Sequence, residues 1–134
     1  MYVSPSDYTE ICMVLALYGH VVDERAWQRL DEVFTADLQF VPSTGPENVT
    51  TSLAALVERW SQPGFPHPAG HHSTNVVVES LGPDWARSRC KGLAVELDGR
   101  VWSIVYDDEL VRTDMGWRSR RRAATIRPTT ARPA

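Results

Sequence analysis

The chain is poor in features that would set it apart from ordinary globular proteins. Its 134 residues hold two cysteines, Cys12 and Cys90. That is too few for a disulfide framework, and it points to a reducing, cytoplasmic setting. No long apolar run is present: the longest, residues 11–17, falls well short of the roughly 20 residues a membrane helix needs. No positively charged segment followed by an apolar core opens the chain, so no secretory signal is expected. No internal repeat is visible, and a chain of this length is expected to form one domain. What is there is 43% hydrophobic and 23% charged residues, a balance that excludes disorder for the bulk and suffices for one buried core.

Charge is unevenly placed. Residues 1–111 carry seven basic and sixteen acidic residues, whereas residues 112–134 carry seven arginines against Asp114 alone. The run Arg118, Arg120, Arg121, Arg122 lacks the interleaved aromatics of a nucleic-acid surface. It is read as a solvated edge strand leading into a loose tail, with no nucleic-acid partner.

Asp7 and Glu10 have capping-box spacing after Pro5, so a helix is expected to start near residue 6. Ile11, Val14, Leu15, Tyr18 and Val22 repeat at helical spacing and form its apolar stripe. A second short helix buries Ala26, Trp27, Leu30, Val33 and Phe34, and residues 37–41 alternate as a short strand. Thr51 or Ser52 caps a third helix, with Leu53, Leu56, Val57 and Trp60 inward. Residues 63–70 hold three prolines and two glycines and form an irregular connection.

From His71 the period changes to two. Strands are expected at 71–79, 85–97, 100–112 and 116–125, with Asp98-Gly99 as the strongest hairpin signal. Helices first and an antiparallel meander last define an α+β domain over residues 1–126, with 127–134 as a flexible tail. In 85–97 the small residues Ala86, Ser88, Cys90 and Gly92 share one face, leaving room for a pocket under a curved sheet. Trp102, Ile104, Tyr106, Asp108 and Leu110 share a face of the next strand, and His71, Ser73, Asn75 and Val77 share one of 71–79. An interior face with this much polarity points to a site.

Three segments carry a family resemblance. YGHVVDERAW at 18–27 has an Asp followed four residues later by Trp at a helix end. HHSTNV at 71–76 opens a strand, and YDDELVRTDMGWR at 106–118 forms a late hairpin. Together these resemble the SnoaL-like group of the NTF2-like superfamily, which includes relatives of scytalone dehydratase, bile-acid dehydratase and hexachlorocyclohexane dehydrochlorinase. The resemblance implies a cone: N-terminal helices packed on a strongly curved, mostly antiparallel sheet that encloses a pocket.

It also implies catalytic Asp23 and His71 at the mouth of that cone. A near-neutral imidazole moves a proton between carbon and a leaving hydroxyl, and the carboxylate fixes its tautomer. Tyr18, Asn75, Ser88, Cys90, Trp102 and Tyr106 are expected to bind substrate, with Tyr106 and Asn75 donating to an enolate oxygen or leaving group. The chain departs from the dehydratase pattern where Val22 replaces a tyrosine, where the 85–97 strand lacks a second histidine, and where Tyr106 replaces an inward asparagine.

The function expected is a cofactor-independent lyase or isomerase, a dehydratase or cyclase type acting on a small hydrophobic cyclic molecule, polyketide- or steroid-like. The alternatives are a non-catalytic ligand-binding or scaffold domain, or a structural subunit resembling the small subunit of ring-hydroxylating dioxygenases. No metal is expected. His67 and His71 are four residues apart, but Pro66, Pro68 and Gly70 forbid the helix that would align them. A cytoplasmic homodimer or homotrimer is expected, assembled through an outer apolar patch of Val76, Val78, Val101, Val105 and Val111.

Overall fold

The computed structural model describes residues 2–127. Helix α1, Pro5–Asp23, starts within one residue of the expected position, but its cap is not Asp7. Ser4 is the N-cap, its Oγ accepting the Asp7 N–H at 3.1 Å, and Pro5 occupies the first turn. Asp7 and Glu10 are thereby released for other work. Asp7 takes Arg112 and the Trp117 indole N–H, and Glu10 takes the Trp117 backbone N–H. The stripe Ile11, Val14, Leu15, Tyr18, Val21 and Val22 is buried along the length of the helix.

After α1 the chain turns at Arg25, whose φ of 58° lies in the left-handed region. The second helix is a 3₁₀ segment, Trp27–Glu32, with Leu30 buried. Strand β1, Phe34–Val41, begins three residues earlier than the alternation indicated, because Val33 and Phe34 face the core. Strand β2, Thr50–Thr51, and helix α2, Leu53–Trp60, follow; Ser52 caps α2 through its Oγ. The meander is β3 (Gly70–Gly82), β4 (Trp85–Val95), β5 (Val101–Thr113) and β6 (Gly116–Arg127). Of the tail assigned to 127–134, Arg127 ends β6 and residues 128–134 lie outside the described residues.

The six strands form one mixed, curved, unclosed sheet in the order β2-β1-β6-β5-β4-β3, with β1 parallel to β6 and the other pairs antiparallel. The helices pack on its concave face. Strand β6 is therefore central and not an edge. Its arginine run is not wholly solvated either, since Arg122 is fully buried.

A bulge in β3 corrects a second expectation. The register shifts between Thr74 and Val77, and Asn75 has a φ of 54°. One extra stretch of chain reverses the alternation beyond it. His71 and Ser73 face inward, Asn75 and Val77 are exposed, and Val78 is buried. The expected outer patch is reduced accordingly: Val78 and Val105 are buried within the chain, and Val76 packs against the core.

Two apolar clusters fill the concave side. A small one at the N-terminal end of α1 joins Ile11 and Leu15 to Val78, Ala86, Leu110 and Trp117 and closes that end of the cone. A larger one gathers around Tyr18, Phe34, Leu38, Leu56 and Trp60.

Candidate active site

Asp23 is the last residue of α1 and His71 the second of β3, so the fold must bring the helix end against the start of the strand. Gly19 makes this possible. A Cβ there would lie 2.6 Å from the His71 carbonyl oxygen, closer than atoms approach, so only glycine lets β3 lie this near α1. Asp23 then accepts twice from one residue. Its Oδ2 takes the His71 backbone N–H at 3.0 Å, and its Oδ1 lies 2.7 Å from His71 Nδ1. A carboxylate only accepts, so Nδ1 carries the hydrogen, and in the neutral form of the ring the free lone pair is on Nε2. The His71 side chain keeps 11% of its exposure and Asp23 26%, leaving the pair shielded but reachable.

The imidazole opens onto a cavity of about 430 Å³, within the range that holds a small organic ligand. Tyr18 and Val22 of α1, Phe40 of β1, Leu56 and Trp60 of α2, and Trp102 and Ile104 of β5 form its walls. The connection after α2 forms another wall through Phe65, Pro66, His67 and Pro68. His67 pins that connection: its Nε2 lies 2.7 Å from the Trp60 carbonyl, and its ring packs at a tilt against Phe65 at 4.7 Å and Trp27 at 5.3 Å. Burial holds the His67 pKa below the ordinary imidazole value, favouring the neutral ring. The Tyr18 ring stands edge-on to His71 at 5.8 Å. Burial, reinforced by Tyr106, raises the Tyr18 phenol well above its usual value, so it remains an O–H donor.

Beneath the cavity lies a sealed polar layer. Arg122 Nε and Nη2 donate to the two Asp108 oxygens at 2.9 and 3.0 Å, and Ser119 Oγ donates to Asp108 Oδ1 at 2.8 Å. The guanidinium sits between the rings of Tyr18 and Tyr106, 4.4 and 4.2 Å from their centroids. Burial opposes its charge, but the Asp108 carboxylate more than offsets that and raises the Arg122 pKa. Among the described residues, Arg122 Nη1 and Ser88 Oγ are buried without a partner. Arg112, four residues along β5 from Asp108, binds Asp7 and Asp84 instead of entering this layer.

Asp23 and His71 meet as expected, and Tyr18 and Trp102 line the same cavity. Tyr106, Ser88 and Cys90 lie in the buried layer below it, outside the cavity lining. Burial pushes the Cys90 thiol up to about 11, which makes it a filler and not a nucleophile. Asn75 is exposed at the β3 bulge and does not line the cavity. Sequence reasoning missed Phe40, Trp60 and His67 as cavity residues. It also missed Arg122, for which the inward position opposite Asp108 in the β5–β6 register was the available signal. Among the described residues, no group of three His, Cys, Asp or Glu side chains is placed to hold a metal ion.

A helix-covered concave sheet with an Asp–His pair at its open end defines a cone of the NTF2-like class. The SnoaL-like domain family matches residues 4–123, and the chain belongs to that family. An uncharacterised protein of Mycobacterium tuberculosis is 29% identical over 129 residues, covering 90% of this chain and 85% of that one. Among solved structures, an NTF2-like protein with a cystatin-like fold from Novosphingobium aromaticivorans superposes with a TM-score of 0.78 at 20% identity, over 94% of this chain and 85% of that one. A candidate scytalone dehydratase from the same organism gives 0.75 at 20% identity, over 96% and 89%.

Proposed function

We propose that the protein is a cofactor-independent lyase or isomerase acting on a small hydrophobic cyclic molecule by Asp–His acid–base chemistry. The observation that carries this reading is the 2.7 Å contact between His71 Nδ1 and Asp23, with the same ring opening onto an apolar cavity. Neutral His71 removes a proton through Nε2 from a carbon next to a carbonyl, leaving an enolate. Asp23 stabilises the imidazolium as it forms, as in the Ser-His-Asp arrangement. Tyr18, which lines the cavity edge-on to His71, is the side chain proposed to donate to the enolate oxygen. Collapse of the enolate expels a hydroxyl that takes the proton back from Nε2 and leaves as water. Return of the proton to a different carbon moves the double bond instead. The dehydratase assignment of the Novosphingobium relative agrees with the first outcome.

The test is a panel of cyclic β-hydroxy ketones in heavy water, followed by proton NMR for exchange next to the carbonyl and for enone formation. The wild type should exchange and eliminate, and His71→Gln should be slower by roughly a hundred- to ten-thousand-fold. Equal rates in both proteins for a ketone that occupies the cavity would overturn the reading in favour of a binding domain. The reading extends to a cytoplasmic homodimer or homotrimer, supported by exposed Val77, Leu93 and Val101 on the outer sheet face. A monomer by sedimentation at micromolar concentration would remove that part.

A further inference from the structure

The two imidazoles and the carboxylate in the cavity lining already have a partner. His71 is held by Asp23, His67 by the Trp60 carbonyl, and Glu96 accepts the Trp102 indole N–H at 2.9 Å. Arg59 differs. It lines the cavity, and among the described residues it makes neither an ion pair nor a side-chain hydrogen bond. Leu56, Arg59 and Trp60 stand three and four residues apart on α2, all three line the cavity, and Leu56 and Trp60 are buried. The helix thus carries a permanent cation on the face that a purely apolar ligand would need to be apolar. Arg59 itself is exposed, which places its charge at the mouth while Trp60 and Leu56 reach inward. The one carboxylate in the lining, Glu96, spends an oxygen on Trp102.

We infer that the cavity takes an aromatic or alicyclic carboxylic acid, with its ring among Phe40, Trp60 and Ile104 and its carboxylate on the Arg59 guanidinium. This rests on the reading of the cavity as the substrate site, and it adds the charge class of the substrate. The chemistry is ordinary for arginine, whose planar fork matches a carboxylate with two parallel N–H donors. The charged end stays in contact with water at the mouth, so the ligand need not desolvate it fully. The reacting carbon sits deeper, by His71.

The probes are naphthoate, the neutral methyl naphthyl ketone of similar shape, and naphthylmethylamine, each titrated calorimetrically at low salt. Naphthoate should bind about tenfold more tightly than the ketone, a difference of about 1.4 kcal/mol. The advantage should shrink as salt is raised. Arg59→Gln should abolish that advantage and leave the affinity for the ketone unchanged. Equal affinity of acid and ketone for the wild type, an advantage that survives Arg59→Gln, or tightest binding of the amine would each overturn the assignment. His71→Gln separates this proposal from the catalytic one. If acid preference persists while proton exchange is absent even in the wild type, the acid–base reading falls and the acid site stands. If exchange depends on His71 but acids bind no better than ketones, the reverse holds.

Discussion

The two ends of the cone use the same helix and the same sheet face in opposite ways. At each end α1 supplies an aspartate. Asp7, near its start, binds Arg112 through both oxygens at 2.9 and 3.0 Å and closes the helix onto the β5–β6 hairpin. Asp23, at its finish, binds an imidazole that borders a cavity. The first partner is a permanent cation, and the pair is a clamp. The second partner is an imidazole beside open space, and under the proposed function the pair moves a proton. Between them the Arg122–Asp108 layer divides a filled end from an open one. Charge is buried there without being offered to a ligand, because two tyrosine rings and a carboxylate enclose it. What separates the two ion pairs, under the proposed function, is that one member of the second faces open space and carries an exchangeable proton.

That contrast can be broken at the layer itself, where the largest effect is expected. Asp108→Ala leaves the Arg122 cation buried and unpaired and should cost about 3–5 kcal/mol in a urea titration. The double replacement Asp108→Leu with Arg122→Met removes both charges and should recover most of that loss. If single and double variants were equally unstable, the layer would be held by shape and not by charge.

Two glycines sharpen the comparison at the next level. Gly92 lies under the Tyr106 ring, where an added Cβ would be 2.3 Å from the ring carbon Cε2. Gly92→Ala should destabilise by about 1–3 kcal/mol through overpacking in the closed layer. Gly19→Ala meets the His71 backbone and should cost a comparable amount. Only Gly19→Ala should also slow turnover, because it pushes His71 from Asp23. Parallel measurement of melting and exchange rate in the two variants checks this.

The clamp at the closed end gives a smaller effect with a defined pH dependence. Hydrogen bonds from Arg112 and Trp117 hold the Asp7 carboxyl down to about 2, against 3.8 for a free one. A depressed folded-state value means the unfolded chain binds the proton first, so stability is lost as pH falls. The Asp7 contribution is therefore complete above about pH 4 and vanishes as pH drops toward 2. Asp7→Asn should cost about 1 kcal/mol near neutrality, and its melting curve should converge on the wild type near the acid limit. A constant gap across that range would show that the carboxylate charge contributes nothing.

The open end was the more legible of the two in the sequence. Asp23 and His71 could be found because a helix-end Asp and a strand-start His fall within short motifs. The strands were visible because alternation and Asp98-Gly99 are local signals. The closed layer was not legible. The small residues Ala86, Ser88, Cys90 and Gly92 suggested space, but Tyr106 and Arg122 from the neighbouring strands fill it. The cavity lies further along, beside Ala94, Ile104 and Ala124. Which side chain occupies a gap depends on cross-strand register, and register is set by bulges such as those at Asn75 and between Glu109 and Leu110. Nothing in the alternation of a single strand announces where an extra residue enters.

The smallest expected effect on stability belongs to the pair on which the proposed function rests. Replacing His71 by Gln keeps the backbone N–H bond to Asp23 Oδ2 and substitutes an amide for the ring. Its side chain packs edge-on to Tyr18 and borders empty volume, so little packing is lost, and the melting midpoint should move by no more than about 0.5 kcal/mol equivalent. Asp23→Asn is the more informative variant. The amide retains one accepting oxygen where the carboxylate offered two, so it can serve the His71 backbone N–H or the ring N–H but not both. Wild type should therefore show a slowly exchanging, downfield Nδ1–H proton of His71 in the NMR spectrum, because a carboxylate partner at 2.7 Å shields and polarises it. That resonance should disappear in Asp23→Asn while the rest of the spectrum stays in place. Its survival would mean that the ring tautomer is fixed by something other than Asp23. The two ends of α1 would then differ only in the charge of their partners, and not in what those partners do.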